Sequence, residues 1–240
     1  MIRVLCFTGL LSVTLATSLS AGEGFLTKLP EPGTWVKYAV TQDMTRRGVP
    51  DQPQAGELTV RFLEADAEAG EACRWLEVDL EIAHTDGTGR DRETTKYLLP
   101  VKVLTGSSDP GSAVLCAWLR QGRDAEIQRK VELPDFLDAW QLTPPLADRQ
   151  QRESPRSIAY QRGTLSADRQ VRGHTEWRKA NQVVRVQHEH WPHPDIPNGL
   201  AAARLETKIS YPDVVRYVII TNYTLMDFGT GTTTALPHHR

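Results

Sequence analysis

"RWLEVDLEIAHTDGTGRDRETTKYLLP", residues 74–100, is the stretch on which the fold turns. Leu76, Val78, Leu80 and Ile82 share one parity, and Glu77, Asp79 and Glu81 the other. A side-chain period of two is a β-strand with one buried and one wet face. Asp86-Gly87 supplies a hairpin turn, because these residues tolerate the positive φ of a tight turn. The chain then returns as "DRETTKYLLP". Two-faced strands joined by a short turn belong to an antiparallel meander.

The pattern recurs on both sides. Upstream, a Pro32-Gly33 turn precedes an extended run from Trp35 to Gln42, and "GELTVRFLEA" sets Leu58, Val60 and Phe62 on one face. Downstream, residues 157–165 and 171–179 read as weaker strands, and "NQVVRVQHEHW" as a better one. "AARLETKISYP" sets Leu205, Thr207, Ile209 and Tyr211 against Arg204, Glu206, Lys208 and Ser210. "DVVRYVIITNYTLMDF" is the longest β-prone run and is apolar on both faces in its middle, which places it centrally in a sheet. No internal repeat is present.

The middle of the chain differs. In "SSDPGSAVLCAWLRQG", Asp109 reads as an N-cap, Pro110 as the first helical residue and Gly122 as the stop. Val114, Leu115, Trp118 and Leu119 then form an apolar stripe that packs on the sheet. "LPDFLDAWQL", residues 133–142, reads as a second short helix. "TPPLADRQQRESPRS", residues 143–157, is polar and proline-bearing and reads as a surface loop or weak subdomain boundary. Strands, then helix, then strands argue against βαβ units. The expected fold is mainly β: a curved or half-barrel antiparallel sheet, with one or two helices inserted mid-chain and packed on one face.

Residues 1–21 carry Arg3, an acid-free apolar run from Val4 to Leu19, and small residues up to Ala21. This is the pattern of a cleaved secretory signal, and it is short for a membrane span. The expected organisation is a signal peptide over 1–21 and a single β-rich domain over 22–240, periplasmic or secreted, with no transmembrane segment in the mature chain. The chain carries 28 Lys and Arg against 30 Asp and Glu. Loss of Arg3 with the signal moves the formal charge from −2 to −3, which gives no reason to expect nucleic acid as a partner.

"LPEPGTWVKYAV", "CRWLEV", "KYLLP" and "DFGTGTTTALP" resemble an uncharacterised group of exported bacterial proteins, over most of the mature chain. At the level of fold, a long antiparallel sheet interrupted by helices is similar to the periplasmic lipoprotein-localisation carriers. That resemblance implies a half-open barrel holding an acyl chain under a helical lid. This chain departs from those carriers by starting with a strand where they have an early helix.

Tests for chemistry find no G-x-S-x-G elbow, no phosphate-binding glycine loop and no C-x-x-C. "HEHWPH" is not H-E-x-x-H, since Trp191 and Pro192 follow His190 and no histidine stands four residues on from the first. As a strand, Val184, Val186, His188 and His190 share one parity. Two imidazoles two residues apart on one strand can meet one metal, with His174 or His193 as a further ligand. The alternative places His188 and His190 at the half-solvated rim of the sheet, and this is the reading adopted, with no cofactor. Cys73 and Cys116 form a disulfide or stay as buried thiols; export permits the first.

Three functions follow. The leading one is a non-enzymatic exported protein that binds an apolar small molecule or envelope component between sheet and helix. The alternatives are a metal- or histidine-dependent envelope hydrolase, and a structural or assembly protein joining partners through its sheet edges. The sequence leaves the oligomeric state open.

Overall fold

The computed structural model describes residues 26–50, 53–68, 71–83, 89–104, 114–122, 126–130, 146–179, 181–211 and 214–236. Their strands are β1 (Thr34–Arg46), β2 (Val49–Pro50), β3 (Gln54–Glu68), β4 (Glu71–Ala83), β5 (Arg90–Pro100), β6 (Cys116–Gln121), β7 (Gln128–Lys130), β8 (Ala147–Tyr160), β9 (Gly163–Lys179), β10 (Gln182–Pro192), β11 (Leu200–Tyr211) and β12 (Val214–Thr230). A single helical turn, α1 (Val101–Leu104), follows β5.

All twelve strands join one antiparallel sheet, in the order β7-β6-β5-β4-β3-β1-β12-β11-β10-β9-β8, with β2 added to β1. The chain runs outward through one meander to β7, reappears at the opposite edge as β8, and meanders back. The first and last long strands therefore pair in the middle, from Thr34 opposite Thr230 to Arg46 opposite Tyr217. The central place expected for β12 is confirmed. It is flanked by β1 and β11 along its length.

The sheet rolls without closing into a barrel. β8 is an edge strand four places from β12, yet the tip of the β8–β9 hairpin returns to β12. There the Gln161 N–H donates to the Met226 carbonyl at 2.9 Å, and Tyr160 stacks on Phe228 with ring centroids 5.7 Å apart. The inner face carries the main core. Val36, Tyr38 and Val40 of β1 meet Leu58, Val60 and Phe62 of β3 on one side, and Val184, Val186, Leu205 and Leu225 on the other.

Three expectations are corrected. Cys116–Gln121 is a strand, not part of a helix. Ala117 belongs to the inner core and Leu119, of the same parity, is buried, whereas Cys116 and Trp118 pack with Trp75 and Leu98 on the outer face. Apolar residues on both sides of a strand mimic a helical stripe. Among the described residues, the single turn α1 is the only helix, with Leu104 buried in the core, so the one or two longer helices expected on the sheet are not supported. The second expected helix, 133–142, and the Asp86-Gly87 turn lie outside the described residues, although β4 and β5 pair antiparallel down to Ala83 opposite Arg90. Residues 147–157, read as loop, belong to β8. An edge strand solvated on both faces has no apolar alternation to betray it, and Pro155 is tolerated there. That proline and the two register shifts in β8 blunt the edge against pairing with another chain, which disfavours assembly through β8.

The outer face is not uniformly wet either. Glu77 is 0 % exposed. Arg61 pairs with it at 3.0 Å, and the C-terminal segment folds across it. The N–H groups of Ala235 and Leu236 donate to its carboxylate at 3.0 Å, and the Thr234 hydroxyl at 2.6 Å. Next to it, Asp79 is buried, a cost that a bidentate pair with Arg92 and the charge of Arg61 outweigh, so its carboxyl titrates below the usual range. A buried carboxylate stripped of its donors is costly, and so are donors stripped of their carboxylate. Glu77→Ala is expected to lower stability by about 3 kcal/mol. Deleting residues 232–240 should lower it less, and the two losses should not add, which chemical denaturation of both variants and their combination will read.

Candidate functional site

The inner face of the returning meander holds the histidine pair. β10 alternates between β9 and β11, so that His188 lies opposite Gly173 and Leu205, and His190 opposite Val171 and Ala203. The parity expected from the valine row is correct, because Val184 and Val186 are buried on the same face. The rim is not. His188 is 2 % exposed and His190 1 %. The rings meet edge to face with centroids 5.4 Å apart. Nε2 of His188 lies 3.0 Å from the Thr175 hydroxyl, and its Nδ1 is buried with no hydrogen-bond partner among the described residues. Gly173 lets Leu146 fold over this point, since a Cβ there would come within 2.8 Å of Leu146.

Burial, then the neighbouring His190 and His174, push the His188 imidazole down from 6.5 to about 2. His188 is therefore neutral at any physiological pH. The unfolded chain takes up a proton below pH 6.5 that the native state refuses. Stability is therefore full above that point and falls as the pH drops, by about 1.4 kcal/mol per pH unit. Between pH 6.5 and pH 5, the wild type should lose about 2 kcal/mol more than His188→Gln. Urea titrations of both proteins at the two pH values measure the difference.

The other candidates do not join this pair. His174 lies opposite Gln187, on the opposite parity from His188, and its Nδ1 is 3.4 Å from Asp148 on the outer side. Among the described residues, no group of three or more His, Cys, Asp or Glu is placed to hold a metal ion. Cys73 and Cys116 are not joined in a disulfide, and the Cys73 thiol donates to the Glu71 carbonyl at 3.3 Å. They share one apolar cluster with Trp75 and Leu98, but β5 runs between their strands. Two interstrand steps of about 4.8 Å exceed the roughly 7 Å between Cα atoms that a disulfide spans.

A cleft was not foreseen. It has a volume of about 550 Å³ and lies at the end of the roll. One wall is the β8–β9 hairpin, through Gln151, Ser166, Asp168, Arg169 and Val171. The other is the β10–β11 loop with Pro192, His193, Pro194 and Gly199, and the N-terminal segment with Thr27 and Lys28. The second wall is firmly built. Leu26 is fully buried, and the Thr27 N–H donates to the Asn198 carbonyl at 2.9 Å. The Lys28 ammonium donates to the Pro194 carbonyl. Gly199 has φ +77°, and a Cβ there would lie 2.0 Å from the Thr27 hydroxyl. From beneath, Tyr38 of β1 donates to the Leu200 carbonyl at 3.0 Å and accepts from the Asn198 amide at 2.7 Å. Burial raises its phenol well above the usual range, with the Asn198 bond opposing, so it stays a neutral donor.

The cleft is thus bounded by apolar Val171, Pro192 and Pro194 and carries Lys28, Arg169 and His193 against a single acid, Asp168. Val171 is the cross-strand neighbour of His190, so the cleft floor adjoins the buried pair. Three distant segments build it, and none carries a motif. The only sequence signal was the proline-punctuated loop after β10.

No family model matches the chain, and no curated protein matches it. Among solved structures, the chain is distantly similar to a protein provisionally described as a lipoprotein from Parabacteroides distasonis ATCC 8503. The identity is 12 % and the TM-score 0.32, over 86 % of this chain and 98 % of that one. A protein provisionally described as an oleoyl thioesterase from Lactobacillus plantarum matches at 10 % identity and a TM-score of 0.15, over 81 % of this chain and 78 % of that one. Neither likeness assigns a function.

Proposed function

We propose that this is an exported, non-enzymatic binding protein that holds a small, partly apolar ligand in the cleft between the β8–β9 hairpin and the β10–β11 loop. The observation that carries the reading is the cleft itself, a concavity of about 550 Å³ with a braced wall. That volume falls within the range usual for small-molecule sites, and an apolar lining with a few convergent polar groups is their usual composition. The ligand's apolar part would lie on Val171, Pro192 and Pro194, and its polar end would face Lys28, Arg169 and His193. This relocates the expected site from between sheet and helix to the open end of the roll. Export rests on the signal-like residues 1–21; no helix among the described residues is long and apolar enough to cross a membrane.

A second reading, histidine-dependent hydrolysis, draws on the Thr175–His188 hydrogen bond of 3.0 Å, the relation of a hydroxyl nucleophile to its base. Both residues are sealed in the core, at 6 % and 2 % exposure, so a substrate would reach them only after the roll opened. The binding reading needs no such opening.

Organic-solvent extraction of natively purified protein, followed by mass spectrometry, tests the proposal. One compound or homologous series at near-stoichiometric yield is expected from the wild type. Val171→Trp, which fills the cleft floor, should reduce that yield at least tenfold while the protein remains folded by circular dichroism. Equal recovery from both proteins, or clean extracts from the wild type, would count against the cleft.

A further inference from the structure

The β8–β9 hairpin is longer than the sheet that supports it. β9 pairs with β10 only from Val171 to Lys179. Residues 163–170 pair solely with β8, so residues 152–170 form a two-stranded arm that projects past the end of β10. Two features mark its base as a bend. β8 shifts register between Glu153 and Arg156, and β9 parts from β10 at Val171. Most of the arm is solvated, but Ile158 and Ala167 are buried in the main core with Tyr160 and Leu165 packed against it, and Gln170 is buried at the base. A lone two-stranded ribbon is marginally stable in water, so its attachment at the far end matters.

That attachment is compact. Arg162 at the tip pairs with Asp227 at 2.9 Å and donates to the Phe228 carbonyl. Its guanidinium lies 4.5 Å over the Phe228 ring. Tyr160 stacks on the same ring, and the Gln161 N–H bonds to Met226. Midway along, Arg156 lies 4.6 Å over the ring of Trp191, which is buried. The same arm supplies Ser166, Asp168 and Arg169 to the cleft.

We infer that residues 152–170 are a hinged flap, latched to β12 by Tyr160 and Arg162, and that release of the latch widens the cleft and uncovers Trp191. The inference rests on the binding reading for its purpose, but not for its geometry. When the tip lets go, the bend at Glu153–Arg156 and the branch point at Val171 carry the movement, and β10, β11 and β12 stay paired. Such local opening draws Ile158 and Ala167, with Tyr160 and Leu165 beside them, out of the main core, while most of the rest of the ribbon is already exposed.

Amide hydrogen exchange on the full-length protein tests the flap without any ligand, so the result is independent of whether the cleft binds anything. Residues 155–169 are expected to exchange at least a hundredfold faster than β11 and β12. Arg162→Ala should speed exchange in that segment a further tenfold or more and leave β11 and β12 unchanged, with Arg162→Lys intermediate. Hydroxyl-radical labelling of Trp191, read by peptide mass spectrometry, should rise at least twofold in Arg162→Ala. Exchange of the arm at the same rate as β11 and β12 would overturn the inference. So would equal acceleration in every strand of Arg162→Ala, or unchanged labelling of Trp191.

Discussion

The pairing of β1 with β12 is the constraint on which the rest of the molecule depends. Each meander presents one open edge of a long strand at the centre, and the pairing of β1 with β12 closes those two edges on each other. A break in that seam would expose two rows of unpaired backbone groups and split one inner face into two. The seam also positions what lies around it. Tyr38, on β1, bonds across the inner face to Asn198 and Leu200, which fixes the loop that walls the cleft. Beyond β12, the Thr232 N–H donates to the Gly33 carbonyl at 3.1 Å and starts the C-terminal segment toward Glu77. Contacts this distant in sequence must all form before the sheet is complete, so folding is governed by long-range closure.

The two faces of the sheet manage buried polarity differently. On the outer face, Glu77 and Asp79 are compensated fully, by arginines and by backbone donors. On the inner face, His188 keeps one hydrogen bond and leaves Nδ1 unsatisfied. An unsatisfied buried donor or acceptor carries a desolvation cost of about 1–3 kcal/mol. That cost falls in the core opposite Gly173 and Leu205, next along the same face of β10 to the His190–Val171 pair that adjoins the cleft. The cleft thus lies between a loop braced by Tyr38, Asn198 and Thr27 and an arm whose outer residues are exposed.

Much of the sheet was legible. β4 declared itself through Leu76, Val78 and Leu80, and β10 through Val184 and Val186, because one buried face imposes a period of two. The depth of His188 and His190 was not legible. Parity says which face a side chain takes, not how far a second layer or a rolled neighbour covers it. β6 was misread because Cys116 and Trp118 are apolar toward an outer cluster, which removes the alternation. β8 was misread for the opposite reason, being polar on both faces. Glu77 looked like a solvated residue because its cover, Thr234 to Leu236, lies 157 or more positions away. The cleft was invisible for the same reason: it is assembled from residues 27–28, 151–171 and 192–199, which meet only after the ends have paired.

The most direct test is a crystal structure of the protein purified without detergent or solvent extraction. Continuous density for a bound small molecule is expected along Val171, Pro192 and Pro194, with its polar end at Lys28, Arg169 and His193. A cleft filled only by ordered water or closed by its own side chains, with ligand density elsewhere on the molecule, would contradict the assignment.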